Sequence, residues 1–494
     1  MASAFGQGVL LLLPLLCLYW AVLANERPYS VYDQFNAISP FYFIGVLLLI
    51  AYRVLRAAPA TIWSAIFWLP VQSAIFFGFG PLVEVYGNEA TKRSLSVHIL
   101  SITPNELFDA NLLSTAGVTL LLCGLYLHIR VRAKLWRATV EHRHAQRTII
   151  VQPETLGYIF VFVGGLLRYG VIYPASWGQI DLTVAGVVSG LGSIVDVGFA
   201  ILAYTALQGK HTSRATFAVL WPLHVFLCLL TFAKTAIIIA FLLPAIAAYL
   251  VHKRVWRLGL SLAGLALVFQ LSQPFVVYGR SVIHERSGTI NEAGYMERIK
   301  IATAYSVEPA SSPIVVDERQ GWWTRLNFSG VQTFAIQASD DGIHGSSLSR
   351  AWMYFVPRAV WPEKPIMVGP GAEFYSLVTG REPTSFLALS VYGDLYWQFG
   401  WLGVLIGCPL IGWIFAMMSW RAVTAMQSRN FIMIPAVLVA LEISLLGMNK
   451  YVVNGIIGPL PIYIAYLFGV NVIHMAIAGN GSYSRRIRTQ DHLT

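Results

Sequence analysis

Apolar runs recur along the chain near 6–24, 39–54, 60–80, 111–129, 154–174, 182–206, 215–233, 235–251, 258–276, 399–419, 431–448 and 456–477. Each is long enough to cross the roughly 30 Å of hydrocarbon in a bilayer. A backbone in lipid must satisfy its own hydrogen bonds, and a helix does so within one segment. The pattern therefore predicts an all-α polytopic membrane protein with about 12 transmembrane helices. The second run is short and 215–251 is nearly continuous, which brackets the count between eleven and thirteen.

One polar stretch, 278–384, interrupts this series between the ninth and tenth spans. It holds ten Lys/Arg, eleven Asp/Glu and several Trp, and it includes the dense run Trp352 to Pro365, a composition that suits an ordered site rather than a tether. The expected organisation is a membrane domain over 1–277, an extracytoplasmic loop over 278–384, and a cytoplasmic tail over 481–494. Between loop and tail, 385–480 would hold a re-entrant or interfacial helix followed by spans ten to twelve. Inside the loop, Gly294 to Ala304 and Trp322 to Ala338 read as helices, with turns over Glu308 to Gln320 and Asp340 to Ser346. The apolar segment from Ser385 to Gly403 is interrupted by Gly393 and Asp394, so it reads as re-entrant. No internal repeat is visible, which argues against inverted-repeat transporter architecture.

Composition confirms the class: 56% of residues are hydrophobic and 12% charged, far from the balance of a soluble globular protein. Lys and Arg are retained on the cytoplasmic side. Alternate connections carry 18 of the 34 cations, which places both termini in the cytoplasm. That bias also accounts for the net charge of +10 without nucleic acid as a partner. The connection from Arg130 to Arg147 reads as a simple topogenic anchor, with an amphipathic helix on the anionic inner leaflet as the alternative. Met1 to Gly8 is uncharged, so the first run reads as a retained span instead of a cleaved signal. Cys17, Cys123, Cys228 and Cys408 all lie within apolar runs; they match neither a disulfide framework nor zinc spacing, and no metal or cofactor is expected.

Chemistry is sought first where charge enters the membrane. Arg168 lies within the fifth span, where a guanidinium is costly unless paired or hydrated; Asp196 and Glu442 are its possible partners. Lys234 stands at the turn between spans seven and eight, either functional or snorkelling to headgroups. Among the loop's ten cations, Arg325, Arg350, Arg358, Lys364 and Arg381 form the basic set singled out, with Arg280 at its membrane-proximal start. Arg358 and Lys364 stand out because Pro357, Pro362 and Pro365 pin them beside Trp361. Candidate proton acceptors are His344, Glu373 and Asp394, with the Asp340-Asp341 pair read as a solvated turn. Trp322, Trp323, Trp352 and Trp361 suit stacking on sugar rings or an interfacial belt. No Gly-rich phosphate loop, zinc motif or nucleophile elbow occurs.

The run from Trp352 to Gly412 resembles the bacterial oligosaccharide repeat unit polymerases, the Wzy-type O-antigen polymerase family. The residues that carry it are Tyr354-Phe-Val-Pro357-Arg358-Ala-Val-Trp361-Pro362-Glu-Lys364-Pro365, Gly371-Ala-Glu-Phe374, and Gly393-Asp394-Leu-Tyr396-Trp-Gln-Phe399-Gly400-Trp-Leu-Gly403-Val404. Ala233-Lys234-Thr235 is similar to another family element, and Asp394 stands where members commonly have Glu. The resemblance implies a GT-C-like membrane fold in the bacterial inner membrane and a metal-independent glycosyl transfer. Donor and acceptor would be polyprenyl-pyrophosphate-linked oligosaccharides, with a chain-length regulator and a flippase as partners besides the lipids. By this reading Arg168, Lys234, Arg280, Arg358 and Lys364 bind pyrophosphate, Trp352, Trp361 and Tyr396 bind sugar, and His344, Glu373 or Asp394 takes the proton. An O-antigen ligase is the nearest alternative; a lipid-linked glycan flippase and a non-catalytic scaffold for export belong to other classes.

Overall fold

Lipid forces apolar runs into helices, and the computed structural model places helices at each of them. It describes residues 2–25, 28–88, 91, 102–139, 152–182, 191–287, 293–307, 323–356, 360–361, 363–364, 369–382, 387–428 and 430–472. Among the described residues there is no strand. Among those residues ten helices are long and apolar enough to cross a membrane, so the chain is a multi-pass membrane protein. They include α1 (Phe5–Leu23), α2 (Tyr29–Ala57), α3 (Ala65–Tyr86), α4 (Pro104–Thr139) and α5 (Pro153–Ser176). Two shorter apolar helices, α6 (Ile194–Leu207) and later α14 (Ile434–Leu446), stand at the sixth and eleventh predicted runs.

The seventh to ninth runs form α7 (His211–Leu229), α8 (Lys234–His252) and α9 (Val255–Ser287). The polar stretch contributes α10 (Tyr295–Val307), α11 (Ser329–Asp340) and α12 (Pro370–Thr379). The helix expected over Gly294 to Ala304 is present as α10; the one expected over Trp322 to Ala338 begins only at Ser329, after a short 3-10 turn at Thr324–Leu326, and 308–322, with Trp322, lie outside the described residues. After α13 (Val391–Gln427) and α14 comes α15 (Val453–Val472).

The chain divides into two compact units. Unit 1 comprises 1–148, 318–428 and 436–494; unit 2 comprises 149–317 and 429–435. The polar stretch is thereby shared between the two units, its first part going with unit 2.

In unit 1, α13 packs along α4. Helices in lipid gain nothing from hiding apolar surface from each other, so close backbone approach through small residues drives their association. Gly124 and Gly412 provide it. A Cβ on Gly124 would stand 2.0 Å from the Pro409 carbonyl oxygen, and one on Gly412 2.0 Å from that of Leu121. The interruption expected at Gly393 and Asp394 is not there; the helix starts at Val391 and runs through both. The break falls at Gly400, whose φ of 58° and ψ of −151° open to glycine alone. Asp394 does not break the helix because Gln398 and the Val452 N–H satisfy its carboxylate without competing for helix hydrogen bonds.

Unit 2 is arranged around α6, which packs on α5, α7 and α8. Val195 to Ala203 is buried without interruption, which suits a short helix enclosed by longer ones. Here too glycine sets the spacing: a Cβ on Gly164 would lie 2.4 Å from the Val195 nitrogen, and one on Gly198 2.6 Å from that of Val161. The nearly continuous run 215–251 breaks at the turn 230–233, where Phe232 takes a left-handed φ of 49°.

Candidate functional site

In unit 2 the chemistry begins with a local widening of α5. Residues Arg168–Ile172 form a π-turn, a feature often found at functional positions. It carries Arg168, Tyr169 and, one residue beyond, Tyr173 toward α6 and α7. Arg168 donates from a terminal guanidinium nitrogen to Asp196 Oδ2 at 2.5 Å and from Nε to the Tyr173 hydroxyl at 2.8 Å. Of the two partners open to Arg168, then, the structure selects Asp196. Asp196 lies in the first turn of α6, where the helix dipole favours a carboxylate. Its other oxygen, Oδ1, is 3.0 Å from His224 Nε2 on α7, and the Tyr169 hydroxyl is 2.5 Å from His224 Nδ1. Cys228 Sγ, one turn along α7, is 3.9 Å from His224 Nε2.

A second group of cations fastens the turn before α8. Arg280 donates from Nε to the Phe232 carbonyl at 2.8 Å. Arg298, only 1% exposed, donates to the Ala293 carbonyl at 2.7 Å and the Leu230 carbonyl at 3.1 Å, with its guanidinium 4.1 Å from the Trp177 ring centre. Burial pushes Arg298 down to about 10, so it stays charged at neutral pH. The turn that these arginines hold leads directly into Lys234, the first residue of α8, whose Nζ sits 5.0 Å from the Phe269 ring. Arg280 and Lys234 are therefore brought to one turn. Tyr295 joins the two groups by donating to the Tyr169 carbonyl at 2.7 Å, and burial pushes its hydroxyl up to about 12.

Unit 1 gathers the candidate proton acceptors. Asp394 is completely buried; Oδ1 accepts from Gln398 Nε2 at 2.6 Å and Oδ2 from the Val452 backbone N–H at 2.8 Å. Gln398 Nε2 also donates to the Ser347 hydroxyl, and its carbonyl accepts from the Leu348 N–H at 2.9 Å. Glu373, half-buried on α12, accepts from the Ser346 hydroxyl at 3.4 Å. His344 is exposed, with Nδ1 3.3 Å from the Trp397 carbonyl oxygen. All three thus meet along residues 344–348 and the first turns of α13. Asp394 has both oxygens occupied and is fully enclosed, whereas Glu373 is half-buried and His344 exposed.

The aromatic candidates separate in the same unit. Trp352 is exposed and stacks with Trp361, ring centres 6.0 Å apart and planes inclined by 10°. Tyr396 is buried and donates to Asp340 Oδ1 at 3.1 Å. Lys364 Nζ donates to the Val356 carbonyl at 3.2 Å and lies 5.9 Å from the Tyr354 ring. Arg358 lies outside the described residues. Of the cations singled out for pyrophosphate, Arg168, Lys234 and Arg280 belong to unit 2 and Lys364 to unit 1.

Sequence reasoning passed over His224, Tyr169, Tyr173, Arg298 and Gln398. The one signal available was the spacing of His224 and Cys228, four apart and so on one helix face. Compared with known proteins, the chain matches no family model, no curated protein and no solved structure.

Proposed function

We propose that this protein is a membrane-embedded glycosyltransferase with a GT-C-like arrangement of about twelve spans. It would join polyprenyl-pyrophosphate-linked oligosaccharide repeat units at the outer face of a bacterial inner membrane, both its termini in the cytoplasm. The observation that carries the reading is the stack of exposed Trp352 on Trp361, whose carbonyl accepts from the Lys364 backbone N–H, in the polar stretch of a multi-pass membrane protein. Flat aromatic faces suit the C–H faces of sugars, and a cation alongside suits the phosphate that such a donor carries. Outside that membrane no nucleotide sugar is available, so the activated donor is a lipid pyrophosphate.

In this reading a hydroxyl of the incoming lipid-linked unit attacks the anomeric carbon of the growing glycan. Glu373 or His344 accepts its proton, while the bond to pyrophosphate breaks. Lys364 and Arg358 stabilise the charge that develops on the leaving group. Lys234 and Arg280, held on one turn of unit 2, form a second candidate cation pair for phosphate oxygens. Asp394 keeps the 344–348 loop against α13.

One observation favours a different class. A chain of Arg168, Asp196, His224 and Tyr169, buried at Asp196 and His224, is the kind of intramembrane charge relay that transporters use, which supports a flippase for lipid-linked glycan as the second reading.

The test is the surface glycan of a deletion strain resolved on a gel, complemented with wild type or Arg358→Ala. Single repeat units capped on lipid A core, restored to long chains by wild type and not by Arg358→Ala, are expected. Long polymer accumulating on the polyprenyl carrier would make the protein a ligase. An unchanged profile would sink both enzymes.

A further inference from the structure

Three donors of different chemistry converge inside unit 2. Asp196 Oδ1, His224 Nε2 and Cys228 Sγ lie within 4.8 Å of one another. Asp196 is 3% exposed, His224 2% and Cys228 0%. His224 and Cys228 are one turn apart on α7 and share a face; Asp196 comes from the first turn of α6, against which α7 packs. Bury a carboxylate oxygen and it ordinarily finds an aligned donor. Asp196 Oδ1 finds His224 Nε2 at 3.0 Å, and the same nitrogen has Cys228 Sγ at 3.9 Å. The three ligand atoms thus surround a common place.

The surroundings are those of an ion site. Arg168 holds the outer carboxylate oxygen, Oδ2, at 2.5 Å. The Tyr169 hydroxyl is 2.5 Å from His224 Nδ1. Partners of this type, a cation on the ligating carboxylate and an oxygen on the far imidazole nitrogen, fix ligand orientation and tautomer at protein metal centres. With Nδ1–H donating to the Tyr169 oxygen, Nε2 presents its lone pair inward.

We propose that Asp196, His224 and Cys228 bind one zinc ion. Thiolate together with imidazole selects zinc over calcium or magnesium. Tetrahedral zinc with bonds of about 2.0–2.3 Å sets its ligands roughly 3.3–3.6 Å apart. The present separations of 3.0 Å for oxygen to nitrogen and 3.9 Å for nitrogen to sulfur straddle that range. Loading releases the Cys228 thiol proton and leaves His224 neutral. Because Arg168 already offsets Asp196, zinc plus thiolate leaves one positive charge, and a hydroxide or other anionic oxygen in the fourth position brings the buried set to neutrality. The ion ties α6 to α7. It was not expected from the cysteine spacing because its ligands come from two helices.

The proposal does not rest on glycosyl transfer, and its test needs no turnover. The full chain, purified in detergent, is stripped with chelator, reloaded with zinc sulfate, desalted and analysed for metal. About one zinc per chain is expected, falling to background in Cys228→Ser and in His224→Ala. Cobalt(II) loaded in place of zinc should give the near-ultraviolet thiolate charge-transfer band, absent in Cys228→Ser. If wild type keeps no more zinc than Cys228→Ser, or its cobalt form lacks the thiolate band, the cluster is a proton-only network and the proposal fails. The cobalt spectrum of wild type stands alone should either variant fail to fold.

Discussion

Among the described residues, unit 2 encloses the charges of Asp196 and Arg298 besides a few hydroxyls, whereas unit 1 encloses mainly amides and hydroxyls around one carboxylate, Asp394. In unit 2 Arg168 meets Asp196 between apolar helices, and Arg298 is enclosed against backbone carbonyls. In unit 1 Gln332 on α11 accepts from Ser114 on α4 and donates to Ser390 at the start of α13, and Asp394 receives only N–H donors. Both solve one problem, since an unsatisfied polar group is expensive in a low dielectric. They differ in the penalty for losing a partner. A charge network fails sharply when one member goes, while a neutral one can re-form through a rotating hydroxyl.

The largest expected effect comes from breaking the charge network on one side. Arg168→Met leaves the Asp196 carboxylate buried without its cation, which should cost about 3–5 kcal/mol. Adding Asp196→Leu removes the stranded charge and should recover most of that loss. Thermal unfolding in detergent of the two single variants and the double reads the coupling directly. A neutral Arg168→Met would show that Asp196 is satisfied by something else.

Next comes Asp394, the enclosed carboxylate described in unit 1. Asp394→Asn is nearly isosteric, yet its single carbonyl cannot accept from both Gln398 Nε2 and the Val452 N–H. Gln398 cannot turn to compensate, because its carbonyl is held by the Leu348 N–H. One donor is left facing an amide NH2, at a cost of about 1–3 kcal/mol. The effect should be smaller than for Arg168→Met; if it is larger, the contrast between the units reverses. Should Asp394 also be the proton acceptor, Asp394→Asn would abolish polymer in protein that still folds, beyond what this loss of stability explains.

The spans were legible because bilayer thickness fixes the length of an apolar run, and Arg168 was legible because a charge inside such a run needs a partner. What the sequence could not rank was Asp196 against Glu442, since both lie in other spans and only packing decides. Arg298 could not be found at all: in a stretch with as many acids as bases it looks like a surface charge, and its true partners are carbonyls near residue 230. The misplaced break has a similar origin. Gly393 and Asp394 are weak helix formers on paper, but Asp394 is satisfied from outside its own helix by Val452. Gly400, whose backbone does leave the helix, carries no local mark that separates it from the glycines at 403, 407 and 412. The closeness of α4 and α13 was hidden likewise, because nothing local says which of many glycines, here Gly124 and Gly412, will meet a partner backbone.

The smallest effect should come from the neutral network itself. Gln332→Leu removes an acceptor for Ser114 and a donor to Ser390, both in fully enclosed positions. Neither hydroxyl is stranded as a charge would be. Ser114 lies mid-helix, where its hydroxyl can turn back to a carbonyl one turn earlier, and Ser390 still accepts from the Gly393 N–H at 3.4 Å as the cap of α13. The leucine also keeps most of the glutamine volume, so little cavity opens. The net loss should be about 1 kcal/mol, the ordinary worth of a neutral hydrogen bond. A melting temperature lowered as far as by Arg168→Met would mean that α11 is held between α4 and α13 by this glutamine alone, and the tolerance assigned to unit 1 would have to be abandoned.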